Sequence, residues 1–106
     1  MNKFFIDHLF DIFTVGQKRN VDVGVAFDMF RTDVRYGEAH DYNTGDALPG
    51  FDFKTAKAEW DKLGEAGQKQ AIEDYDNFID GHYREACAAF AEGREAMDAL
   101  VREVTA

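Results

Sequence analysis

A chain of 106 residues, 45% hydrophobic and with ten Phe, has the material for one core, which excludes a disordered acidic tail and points to a single domain over residues 1–106. A formal net charge of −9 and a pI near 4.6 set it against direct contact with nucleic acid or an anionic membrane, since both would repel it. One cysteine, Cys87, cannot close an internal disulfide, so a cytoplasmic location is expected and the thiol reads as a small apolar side chain.

In chain order, residues 3–14 place Phe5, Ile6, Leu9, Ile12 and Phe13 on one helical arc that Phe4 and Phe10 widen, with Gly16 as the expected stop. Asp7, His8 and Asp11 interrupt this apolar stretch, which is too short to span a bilayer. Residues 21–27 alternate like a strand. The longer window repeats Val23, Phe27, Phe30 and Val34 at helical spacing, and it predicts a helix from an Asn20 cap to about Tyr36. Val21, Val25, Met29 and Tyr36 form a second apolar stripe on that helix.

Gly37 to Gly50 reads as a long loop punctuated by Asn43, Gly45 and Pro49, with Phe51 and Phe53 pinning its far end. Thr55 is expected to cap a short helix carrying Ala56, Trp60 and Leu63 and closed by Gly64. From Ala66 onward, Ile72, Ile79, Ala86, Gly93 and Leu100 lie seven apart, as do Tyr83, Phe90, Met97 and Val104. That seam predicts one long C-terminal helix, kinked at Gly81. The fold expected is all-α, a bundle of about four to five helices.

Among chemical motifs, Asp41-Tyr42-Asn43-Thr44-Gly45-Asp46 resembles the opening of an EF-hand loop, with Asp52 at the twelfth position. Gly45 stands where the fifth-position ligand belongs and Asp46 where the sharp turn needs glycine, so a plain turn is the reading. His82 and Glu85 sit three apart on a helix, but the di-iron pattern needs this pair in the opposite order and twice. His8 and His40 lack companions at ligand spacing. No metal or cofactor is expected. With no Ser anywhere in the chain, no nucleophile elbow and no phosphate-binding glycine loop, the chain is not expected to be an enzyme.

What remains is charge, which is gathered into two blocks without Lys or Arg: Glu38, Asp41, Asp46 and Asp52, then Glu73, Asp74, Asp76 and Asp80. Glu73, Asp76 and Asp80 fall at i, i+3 and i+7 of a helix, about 5–6 Å between neighbours, a spacing that can stand where a protein expects successive backbone phosphates. In size and charge the chain is similar to small acidic proteins of phages and mobile elements that block restriction or CRISPR complexes. The expected function is therefore a non-enzymatic inhibitor or modulator that mimics DNA on the basic surface of a nucleic-acid-handling protein. The alternative is a helical assembly module that forms a homodimer, or docks on a larger complex, through Ala86, Phe90, Gly93, Met97 and Leu100.

Overall fold

The computed structural model describes residues 3–38, 44, 45 and 52–105. Four helices follow one another: α1 (Lys3–Arg19), α2 (Val23–Tyr36), α3 (Phe53–Glu92) and α4 (Arg94–Thr105). They form an all-α bundle, as the periodicity predicts. Among the described residues no helix is long and apolar enough to cross a membrane. Asp41, Asp46, His40, Pro49 and Phe51 lie outside the described residues, and so does most of the segment expected to be a loop.

α1 runs past Gly16 to Arg19, contrary to the expected stop. The chain leaves the helix at Asn20, a left-handed residue (φ 55) whose N–H donates to Gln17 O while Val21 N–H donates to Gly16 O. Gly16 instead serves helix packing. A Cβ there would stand 2.7 Å from Ala26 Cβ, so its bare backbone lets α2 cross α1 closely. The cap of α2 is Asp22, not Asn20, and its carboxylate accepts from Gly24 N at 2.9 Å.

The two helices are also tied by charge. Arg19 reaches Asp33 with two parallel bonds, Nη1 to Oδ2 at 2.6 Å and Nη2 to Oδ1 at 3.1 Å, both side chains being largely withdrawn from water. A bidentate pair in a dry setting fixes orientation as well as distance. Leu9, Ile12 and Phe13 of α1 share the core with Ala26, Phe27, Phe30 and Val34 of α2.

α3 comprises three straight pieces. Its N-cap is Asp52, which accepts from Thr55 N at 3.0 Å and from Thr55 Oγ1 at 2.6 Å, so the cap falls three residues before the Thr55 expected to provide it. Gly64 (φ 68, ψ 176) breaks the helix where the sequence predicts a stop, and the carbonyl of Trp60 accepts a bond from Gln68 Nε2 at 3.0 Å across the break. The second bend is at His82 (φ −134), one residue past the expected kink at Gly81. At Gly93 (φ 124, ψ −175) the chain takes a conformation that side chains disfavour, and α4 starts anew, so the heptad seam does not continue in one helix to the C-terminus.

The buried face of the middle piece, residues 65–81, is Ala71, Tyr75 and Phe78. Ile72 and Ile79, the expected seam, are only partly buried, and Tyr83 is 47% exposed. The core face is thus rotated by about one residue from the heptad reading. Beyond the bend, Ala86, Ala89, Met97, Leu100 and Val101 close the bundle, Phe90 packs against Phe10 and Phe13, and Arg94 reaches Asp11 at 2.8 Å while lying over the Phe10 ring.

The crossing at Gly16 yields a direct test. Gly16→Ala adds a methyl into a 2.7 Å gap, and the overpacking outweighs the helix-propensity gain, for a net loss of about 1–2 kcal/mol by chemical denaturation. Combining it with Ala26→Gly is expected to recover about 1 kcal/mol relative to the sum of the single losses. Additive losses would show that the two helices do not meet at these atoms.

Candidate protein-binding surface

The acidic run Glu73-Asp74-Tyr75-Asp76 is organised by its tyrosine. Tyr75 is fully buried, stacks on Phe27 with ring centroids 4.4 Å apart, and donates its hydroxyl to Val23 O at 2.7 Å. With Ala71, Tyr75 and Phe78 turned inward, the helical period sends Glu73, Asp76 and Asp80 to the opposite side, and all three are exposed. Among the described residues no Lys or Arg forms an ion pair with any of them. The row holds three adjacent negative charges on one face, bounded at its N-terminal end by the exposed Lys69, one turn before Glu73.

The Tyr75 bond also brings α2 into the site. Asp22 precedes Val23 in the chain as Asp76 follows Tyr75, so the two carboxylates flank the same hydrogen bond from different helices. Burial first, then the negative charges of Asp76, Asp22 and Asp28, push the Tyr75 phenol far above its ordinary range. Asp22 also acts on Tyr83, whose phenol is raised chiefly by the neighbouring Cys87 and then by Asp22. The surface thus joins Glu73, Asp76 and Asp80 of α3 to Asp22 at the start of α2, with the exposed Tyr83 near Asp22. Asp28 lies farther along α2 and is paired with Arg31.

The remaining sequence candidates are dispersed. Asp74 is half-buried beside the row and accepts from Gln70 Nε2 at 2.9 Å. Glu38 lies beyond the far end of α2, where its N–H closes the helix on Asp33 O. Asp52 serves as the α3 cap, and its bonds from the Thr55 hydroxyl and then the Thr55 N–H hold its carboxyl below the usual value. Asp41 and Asp46 are outside the described residues. Ala86, Met97 and Leu100 are buried within the protomer and Phe90 packs on α1, so the stripe expected to face a second copy is already an internal helix contact. Gly93 is the bend between α3 and α4.

Asp22 is the residue that sequence reasoning missed, because the cap was placed at Asn20. The signal was available in the Asp that directly precedes Val23, the first residue of the apolar repeat. No described group of three or more His, Cys, Asp or Glu side chains is arranged to hold a metal ion. His82 Nδ1 lies 3.5 Å from Glu85 Oε1 and the two form only a loose local pair.

The perturbed phenol of Tyr75 makes stability depend on alkali in a defined direction. The unfolded chain releases this proton near pH 10.0 while the folded chain retains it, so the contribution is complete below pH 10 and is lost as pH rises above it. Tyr75→Phe is expected to cost about 1 kcal/mol at pH 8. It should also lose less stability than the parent between pH 9 and pH 11, by about 1 kcal/mol. Parallel pH profiles for the two proteins would contradict the buried, hydrogen-bonded phenol.

No known protein family, curated protein or solved structure matches the chain.

Proposed function

We propose that the chain is a non-enzymatic inhibitor or modulator of a nucleic-acid-handling protein, of the anti-CRISPR or anti-restriction type found in phages and mobile elements. It acts by presenting the Glu73, Asp76 and Asp80 row, extended by Asp22, to a basic surface that otherwise grips backbone phosphates. The observation that carries this reading is a row of exposed carboxylates with no ion pair among the described residues, on a helix whose opposite face is locked in the core. Like charges at i, i+3 and i+4 lower helix stability by a few tenths of a kcal/mol per pair. A partner carrying Arg and Lys converts that cost into binding and fast, electrostatically steered association.

The test uses a basic nucleic-acid-binding protein retained by the immobilised chain from host extract. Its affinity is expected to fall at least about tenfold between low and moderately high salt. Asp76→Lys with Asp80→Lys should weaken it by at least about as much, while the thermal midpoint stays within a degree or two. A salt-independent affinity, or full binding by the charge-reversed chain, would contradict the reading.

A second reading rests on the outward stripe of α2. Val25 is 45% exposed and Tyr36 is 73% exposed, with Met29 between them half-buried. An assembly module would use this face instead of the internal seam. Sedimentation distinguishes it: a dimer dissolved by Val25→Glu with Tyr36→Glu favours assembly, and a monomer at all concentrations removes the homodimer.

A further inference from the structure

The α2–α3 face changes sign along its length. Asp22 and Asp76 occupy one end, whereas at the other a cleft of about 530 Å³ opens between α2 and the bend at Gly64. Arg31 and Arg35 enter it from α2, Lys69 from α3, and Trp60 and Ile72 supply apolar lining. In a chain of net charge −9 this gathering of cations is not a consequence of composition. The volume lies within the range of sites for small organic molecules.

The local charges largely account for one another. Arg31 pairs with Asp28, and Asp61, on the rim, pairs with Lys57 at 2.7 Å. The remaining lining charges are Arg35 and Lys69 against Glu65, a residual close to +1. Among the described residues neither Arg35 nor Lys69 has an ion-pair partner, and Arg31 Nε is buried with no hydrogen-bond acceptor. The bend makes the cleft durable, because Gln68 Nε2 holds the Trp60 carbonyl at 3.0 Å and so fixes the Trp60 backbone against the next helical piece.

We propose that this cleft binds a small organic monocarboxylate with an aromatic or branched apolar body. The carboxylate would take Arg35 and Lys69, and the body would lie on Trp60 and Ile72. One residual positive charge suits a monoanion, and Glu65 disfavours a dianion such as a phosphate monoester. The site adjoins the N-terminal end of the acidic row at Lys69 but does not depend on the function proposed for that row.

Trp60 is the only tryptophan and lines the cleft, so its fluorescence reports occupancy. Titration of the full chain with phenylacetate is expected to give a saturable change with a Kd below about 1 mM. Phenyl phosphate and inorganic phosphate should each bind at least about tenfold more weakly. Arg35→Gln and Lys69→Gln, both exposed positions, should each weaken phenylacetate by about tenfold, and Glu65→Gln should tighten it. Lys62→Gln, a cation outside this cleft, should leave it unchanged. Absence of saturation with phenylacetate, unaltered binding by the Arg35→Gln, Lys69→Gln double variant, or equal binding of phenyl phosphate would overturn the proposal.

Discussion

The hydrogen bond from Tyr75 to the Val23 carbonyl is the constraint on which the acidic surface depends. It joins the middle of α3 to the start of α2, and its phenol sits in a segment where three of four residues are acids. Because the tyrosine must be inside, stacked on Phe27, its neighbours have no freedom over which way they point. Glu73 and Asp76 are outward for the same reason that Tyr75 is inward, and Asp22 acts on the same phenol as Asp76 because Val23 is the acceptor. A hydrophobic decision about one ring thereby becomes an electrostatic pattern on the surface.

Other parts of the bundle hold that pattern still. The Arg19–Asp33 pair and the close crossing of Gly16 over Ala26 fix α1 against α2, so that α2 cannot rotate without separating two buried charges. Arg94 acts in the same way at the rim, joining the first turn of α4 to Asp11 and the Phe10 ring. Charge on this protein is used in two ways. Arg19, Asp33, Asp11, Arg94 and the cap carboxylate of Asp52 bind the chain to itself, while the exposed Asp22 both caps α2 and extends the acidic row. Glu73, Asp76 and Asp80 do not, and it is on this difference, more than on the total of −9, that the proposed partner contact rests.

The helical character of the chain was legible, including α2 against a strand-like alternation, because Phe27, Phe30 and Val34 sustain a period that a short β pattern cannot. The break at Gly64 was legible for the same reason. Gly16 misled because a glycine needed for close helix contact looks, in one dimension, like a glycine that ends a helix. The heptad seam misled more subtly: Ile72 and Ile79 are more hydrophobic than Tyr75, but the buried arc follows Tyr75, whose size and hydroxyl find partners in Phe27 and Val23 on another helix. Long-range pairings such as Arg19 with Asp33, and the bond of Tyr75 to Val23 that brings the charges of Asp22 and Asp76 to one phenol, are tertiary facts with no local signature. The row of Glu73, Asp76 and Asp80 was legible from spacing alone, whereas its separation from Asp74, Glu38 and Asp52 came from bonds those residues make within the fold.

The central claim is that the carboxylate row occupies the place of backbone phosphates on a basic partner. Competition measures this most directly: the partner, bound to the labelled chain, is titrated with a short DNA duplex at fixed ionic strength. Mutually exclusive binding is predicted, with duplex displacing the chain completely and the Asp76→Lys, Asp80→Lys chain failing to displace duplex in return. A stable ternary complex of chain, partner and DNA would contradict the account.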